Sequence, residues 1–156
     1  MNKFRLGIIF LAFGFLAACN NTDKKSNTGN KVSKTLADSL ENEVMDGHNM
    51  GMAKYGKLTA MQNKAQRLLD SIAKLPAKAR EAMNPLKTKL DGLVEDLRSA
   101  KSSMDKWMEE YNMDSAVNNI EQRIKYLSAE KIKVSKVKES ILNSLQKADS
   151  VLKAKF

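Results

Sequence analysis

Cysteine and histidine, on which many catalytic and metal centres depend, are almost missing from this sequence. Its 156 residues contain one of each, which excludes an intramolecular disulfide framework, a cysteine-based zinc cage and a multi-histidine centre. Neither a glycine-rich phosphate loop nor a nucleophile elbow is present, so we do not expect an enzyme. Apolar residues make up 42% of the chain, enough to bury a core, and a wholly disordered chain is therefore excluded.

The amino-terminal segment has the pattern of a signal peptide. Lys3 and Arg5 precede an uncharged apolar run at residues 6–16. As a helix this run rises about 16 Å, roughly half the thickness of a bilayer core. It is therefore too short for a stable membrane span and fits the apolar region of a signal peptide.

The sequence Leu-Ala-Ala-Cys at residues 16–19 resembles a bacterial lipobox. The resemblance implies cleavage of a signal peptide at residues 1–18, lipidation of the Cys19 thiol and acylation of the new amino group. Two or three acyl chains hold a protein stably at a membrane, at about 0.8 kcal/mol per buried methylene. The alternative is a cleaved secretory signal with an incidental cysteine, but the only cysteine stands where the lipobox requires it.

The segment after Cys19 predicts a tether and a location. Residues 20–34 are polar, so we expect residues 19–34 to form a lipidated, flexible link. Asn20 is not the aspartate associated with inner-membrane retention in some bacteria, which favours the outer membrane. No acidic cluster of the kind linked to surface display follows the cysteine, which favours a domain facing the periplasm. We predict a lipid-anchored protein of a Gram-negative-type cell envelope.

The remaining residues, 35–156, predict an all-α domain. Apolar residues recur three and four positions apart through three stretches, about 35–75, 85–111 and 115–152, which is the period of amphipathic helices. No alternation typical of strands is visible. The second stretch has the spacing of a coiled-coil seam, so we expect an antiparallel three-helix bundle, or long helical hairpins, with coiled-coil-like packing.

Local signals predict where these helices begin and bend. Thr35 opens a sequence that resembles a capping box, and Asn84 with Pro85 forms a good N-cap and N1 pair. Gly47 and Gly51 lie inside the first helical pattern, where each costs about 1 kcal/mol relative to alanine. We therefore expect a kink or a short break at these glycines.

The predicted hairpin gathers chemistry-bearing side chains at one end. If the chain turns near residue 80, Met52 lies level with Met108, and His48 with Tyr111. The candidate metal-binding or partner-binding residues, which we call the Met/His/Trp end, are then Met45, His48, Met52, Met104, Trp107 and Met108.

Three interpretations of the Met/His/Trp end follow from its chemistry. Thioether sulfur with imidazole suits Cu(I), and an indole can cover a cation through a cation–π contact. Histidine and methionine also ligate haem, although covalent c-type attachment is excluded because no Cys-x-x-Cys-His motif is present. Methionine also fills irregular core gaps and makes adaptable grooves. We favour packing or a surface for an envelope protein or peptide, without a cofactor, and keep Cu(I) as the alternative.

The basic charge does not predict a nucleic-acid partner. The formal charge of +9 falls to +7 when Lys3 and Arg5 leave with the signal peptide, because 25 basic residues then face 18 acidic ones. A lipid anchor in the envelope keeps the protein from nucleic acid. We expect lysines on solvated helix faces, where anionic headgroups or envelope polymers are the more plausible contacts.

Four segments carry a resemblance to a known family: EVMDGH at 43–48, MAKYGKL at 52–58, MDKWMEEY at 104–111 and IKYL at 124–127. They resemble small lipoproteins of Bacteroidota that are often labelled "viral A-type inclusion protein". The family often has an acidic residue and a proline where this chain has Asn49 and Gly51. The resemblance covers about residues 40–152 and implies envelope location and helical fold, but no activity.

The sequence thus predicts a lipid-anchored cell-envelope protein with a non-enzymatic helical domain for binding or scaffolding. The alternative is a periplasmic Cu(I)-binding protein that uses the Met/His cluster.

Overall fold

A computed structural model describes residues 28–153 of the chain, and these residues form an all-α bundle, as predicted. The helices are α1 (Thr28–Ala73), α2 (Ala77–Ala82), α3 (Asn84–Glu110) and α4 (Ile120–Lys153). The long helices α1, α3 and α4 each pack against the other two, and the short α2 packs against α3. No strand occurs among the described residues.

Paired residues on neighbouring helices establish the direction of each long helix. Residue numbers rise together along α1 and α4, which are therefore parallel, and α3 is antiparallel to both. The pairs are Glu41–Arg123 and Lys57–Asp149 between α1 and α4, His48–Met108 and Tyr55–Asp105 between α1 and α3, and Trp107–Glu130 and Asp96–Lys147 between α3 and α4.

The first helix begins earlier than the sequence pattern predicts. It starts at Thr28, so the prediction of a flexible tether is wrong for residues 28–34, and Thr35 lies inside the helix instead of capping it. The polar sequence of residues 28–34 contains no apolar stripe from which this start of the helix could be predicted. The predicted signal peptide, Cys19 and the rest of the tether lie outside the described residues.

The predicted break at Gly47 and Gly51 does not occur, because α1 continues through both glycines. Both are buried at contacts with other helices. A Cβ atom on Gly47 would lie 2.9 Å from Cγ1 of Val134 on α4, and one on Gly51 would overlap Cε of Met104 on α3. The glycines therefore permit close helix packing, and that packing offsets their low helix propensity.

The loops also differ from the sequence prediction. Helix α3 begins at Asn84, with Met83 in the N-cap position, one residue before the predicted cap. Helix α4 begins at Ile120, not near residue 115, because residues 111–119 form a longer turn. Asn119 caps α4, since its Oδ1 accepts a hydrogen bond from the Gln122 backbone at 3.1 Å. Val117, predicted to lie on the apolar stripe of α4, is 57% exposed in this turn.

The core lies along the seam between the three long helices. Its fully buried large side chains are Val44, Leu58, Leu90, Leu93, Leu97, Met104, Leu127, Val134 and Ile141. A smaller apolar cluster joins the early part of α1, at Ala37 and Leu40, to Leu127 of α4. None of the described helices is long and apolar enough to cross a membrane.

Substitution of Gly47 by alanine is predicted to destabilise the bundle. The new methyl group would press on Val134, a stiff β-branched side chain with no exposed surface. Overpacking costs about 1–3 kcal/mol, more than the gain of about 1 kcal/mol from alanine's better helix propensity. Urea denaturation should therefore show a lower free energy of unfolding for Gly47→Ala than for the unsubstituted protein.

Gly56→Ala is the matched control on the same helix. A Cβ atom there meets nothing within 4 Å, so this substitution should raise stability by up to about 1 kcal/mol. Equal effects at both glycines would contradict the close packing of α1 against Val134.

Candidate functional site

The Met/His/Trp end is assembled from one stretch of α1 and one of α3. His48 lies on α1 with its Nε2 atom 3.4 Å from Sδ of Met108 on α3. The imidazole ring also lies 5.6 Å, centre to centre, from the indole ring of Trp107. Three of the six predicted residues, from two helices, are therefore in direct contact.

The other three predicted residues do not join this contact. Met104 is fully buried, and its terminal methyl packs where α1 carries Gly51, so Met104 is a core residue. Met45 is half-buried and Met52 is 37% exposed on α1. The ring nitrogens of His48 contact Asn49 and Met108, and in the described structure neither nitrogen has such a contact with Met45 or Met52.

The predicted register agrees with the hydrogen bond between Tyr55 and Asp105 but is about one helical turn off at His48. The sequence places Met52 level with Met108, whereas His48 is the residue that contacts Met108. One turn corresponds to about 5.4 Å along the helix. The predicted register assumes a single tight turn between the first two long helices. In the structure the short helix α2 connects α1 to α3 instead.

Trp107 is held at this end by a buried carboxylate. Its Nε1–H donates a hydrogen bond to Oε2 of Glu130 on α4 at 3.0 Å, and the two residues are only 4% and 3% exposed. Lys133 donates to the other carboxylate oxygen at 2.8 Å, and this hydrogen bond raises the pKa of Lys133. A buried charge needs such partners, and here they fix the plane of the indole ring.

Glu130 is a site residue that the sequence analysis missed, although a signal was present. The apolar stripe of α4 has a gap of one full heptad between Leu127 and Val134. Glu130 stands in that gap, three residues after Leu127 and four before Val134, on the same helix face. A charged residue in the stripe of a buried helix indicates a polar partner on the facing helix.

Aromatic rings continue from His48 towards α4. Trp107 stacks on Tyr111 with ring centres 4.9 Å apart, and Tyr111 stacks on Tyr126 at 6.2 Å. The Tyr111 hydroxyl is buried without a hydrogen-bond partner in the described structure, and burial raises its pKa. Tyr126 accepts a hydrogen bond from the Asn112 backbone at 2.7 Å. The stack therefore ties the end of α3 to α4.

A second missed residue, Arg123, secures the turn beside this end. Its side chain is 6% exposed and donates to the backbone carbonyls of Met113 and Ser115 at 2.7 and 3.0 Å. It also forms an ion pair with Glu41 of α1 at 3.1 Å. One guanidinium thus links the turn to two helices, which matches its planar set of five donors.

Exposed methionines occur in the stretches of α1 and α3 that form this end and in the turn after α3. Met50, Met52, Met108 and Met113 are 51%, 37%, 37% and 61% exposed. Their thioethers are flexible and polarizable, whereas the buried Trp107 ring is fixed by hydrogen bonding and stacking. Methionine surfaces of this kind adapt to partners of different shape.

The basic residues at a groove between α1 and α4 are largely paired. This groove of about 510 Å³ is lined in part by Lys54, Lys57, Asp149 and Lys153. The Asp149 carboxylate lies 3.3 Å from the Lys57 ammonium and 3.6 Å from that of Lys153. The hydrogen bond from Lys57 lowers the pKa of Asp149. The groove shares no lining residue with the Met/His/Trp end.

The common metal-binding side chains, those of His, Cys, Asp and Glu, do not form a cluster within residues 28–153. No group of three or more His, Cys, Asp or Glu residues there is placed to hold a metal ion. Methionine sulfur can also bind metal ions. At this end an imidazole nitrogen, Nε2 of His48, lies next to the sulfur of Met108.

The fold and the site together define an all-α bundle with a methionine-rich end organised around a buried tryptophan. No protein family, curated protein or solved structure matches the chain. The likeness to Bacteroidota lipoproteins stays a prediction from the sequence.

Replacing Glu130 with alanine is predicted to release Trp107. The substitution leaves a buried indole N–H without an acceptor, and losing a hydrogen bond to a charged group costs about 1.5–3 kcal/mol. Urea denaturation should show this loss, and the single tryptophan should emit at longer wavelength as its ring becomes solvated.

Glu130→Gln is the matched control because its amide oxygen still accepts from the indole N–H. It should retain most of the stability and the original emission wavelength. Identical behaviour of the alanine and glutamine variants would show that the carboxylate does not hold Trp107.

Proposed function

We propose that the protein is a lipid-anchored, non-enzymatic component of the cell envelope that binds an envelope protein or peptide through its Met/His/Trp end. The observation that carries the binding function is the partly exposed Met108, which contacts His48 next to the fixed Trp107 ring. Rigid support lowers the entropy cost of binding, and flexible thioethers allow the surface to fit its partner.

The proposed anchor rests on the lipobox-like sequence that ends at Cys19. Chain length then limits how far the site lies from the membrane. Between Cys19 and Thr28 even a fully extended chain spans about 32 Å, and α1 rises about 30 Å from Thr28 to His48. The proposed partner is therefore engaged within roughly 60 Å of the lipid surface. With the anchor in the outer membrane and the domain facing inward, this region is the periplasm.

Site-specific photo-crosslinking tests the binding function in cells that produce the full chain. A photoreactive residue at Met52, which is 37% exposed and lies one helical turn after His48 on the same face, should give one discrete adduct with an envelope protein. The same residue at Leu68, which is 38% exposed on the distant half of α1, should not. Met108→Glu should abolish the Met52 adduct, because a carboxylate opposes burial of this surface. Equal adducts from both positions would contradict the proposal.

The anchor is tested separately in the same cells. The unsubstituted protein should fractionate with outer membranes and incorporate labelled fatty acid, whereas Cys19→Ser should do neither. Label incorporation by the serine variant would show that Cys19 is not the lipidated residue.

A further inference from the structure

We propose that His48 and Met108 together form a binding site for a soft monovalent metal ion, Cu(I). The partner-binding function and the lipid anchor are separate from this inference and do not depend on it. Its ligands are fewer than those of the sequence prediction, which used His48, Met45 and Met52 with Met104 and Met108 in support.

The hydrogen bonding of His48 leaves a metal-binding nitrogen. Nδ1 lies 3.2 Å from Oδ1 of Asn49, and in the tautomer with the proton on Nδ1 it donates a hydrogen bond to this oxygen. In a neutral imidazole the other nitrogen, Nε2, then presents a lone pair. A hydrogen bond that fixes the imidazole tautomer in this way is the usual support of a histidine metal ligand.

The lone pair of Nε2 points towards a second electron donor. Met108 Sδ, 3.4 Å away, is also an acceptor and has no proton to give. In this tautomer two electron-pair donors face each other, an arrangement that a bound cation satisfies, whereas in the other tautomer Nε2–H donates a hydrogen bond to the sulfur.

The spacing of the two atoms suits a shared ion. With bonds of about 2.0 Å to nitrogen and about 2.3 Å to sulfur, as in zinc sites, a separation of 3.4 Å gives an angle near 105° at the ion. That angle is close to tetrahedral. A thioether ligand selects soft ions, and paired with imidazole it favours Cu(I) over hard cations such as Mg²⁺.

The surroundings of the pair also fit a bound cation. Met108 is 37% exposed and His48 is half-buried, so an ion can enter from solvent. The indole ring of Trp107 lies 5.6 Å from the imidazole ring and offers a cation–π face. Because α1 and α3 each supply one ligand, binding would add a link between two helices that also share the hydrogen bond from Tyr55 to Asp105.

Trp107 is the only tryptophan of the chain and reports directly on this site. We would titrate the full chain in detergent, without oxygen, with Cu(I) buffered by a chelator of known affinity. All variants carry Cys19→Ser, which removes the only competing thiol. Tryptophan fluorescence should be quenched to saturation at one equivalent of Cu(I), with a dissociation constant tighter than about micromolar.

His48→Gln and Met108→Leu should each weaken binding by about tenfold to hundredfold, the range that losing even a supporting hydrogen bond produces at metal sites. Met50→Leu removes a neighbouring exposed methionine of α1 and should leave the affinity unchanged. Circular dichroism should show the same helix content in all variants. X-ray absorption at the copper edge should show both nitrogen and sulfur neighbours.

Three results would overturn the copper site: binding weaker than micromolar, an affinity unchanged in His48→Gln or Met108→Leu, or copper without a sulfur neighbour. An equal response to Zn²⁺ that Met108→Leu leaves intact would also overturn it, as imidazole binding alone. Failure of the crosslinking experiment would leave these results unaffected, so the two proposals are tested independently.

Discussion

The buried hydrogen bond from Trp107 to Glu130 is the interaction on which the Met/His/Trp end depends. A carboxylate that is 3% exposed is costly unless its oxygens are bonded, and the indole N–H and the Lys133 ammonium supply those bonds. Because Glu130 on α4 holds the indole N–H, the ring keeps a single position, in which it contacts both Tyr111 and His48. The contact between His48 and Met108 lies on this fixed base, and so do the partner surface and the copper site that we propose.

Close packing of α1 places His48 where it can meet α3. The two buried glycines bring the backbone of α1 against Val134 and Met104, so the helix axis is nearer to its neighbours than larger side chains would permit. Gly47 and Gly51 flank His48 in sequence, and the histidine is therefore carried into the junction without being fully buried. The core side chains therefore lie beneath this contact, while His48 and Met108 remain partly accessible to solvent.

Periodicity was sufficient to predict the helical class, because three-and-four spacing of apolar residues leaves strands no consistent face. It also placed His48, Trp107 and Met108 at one end. It could not predict the register to within a turn, since α2 adds a segment with no buried residue and therefore no apolar signal. Nor did it separate Met104 from Met108, four residues apart on one face, because the burial of Met104 depends on its contact with Gly51 of α1. The gap in the apolar stripe at Glu130 indicates a polar partner, but the identity of the donor depends on how α3 packs against α4.

Hydrogen exchange of the Trp107 indole proton tests the central claim most directly. The chain has one tryptophan, so the proton gives a single indole resonance in a nitrogen–proton correlation spectrum. A proton bonded to a buried carboxylate exchanges only when the bundle opens, so it should persist after transfer to deuterated buffer with protection similar to that of core backbone amides. An indole proton that exchanges as fast as that of a short, unfolded tryptophan peptide would contradict the account, because the base of the Met/His/Trp end would then not be fixed.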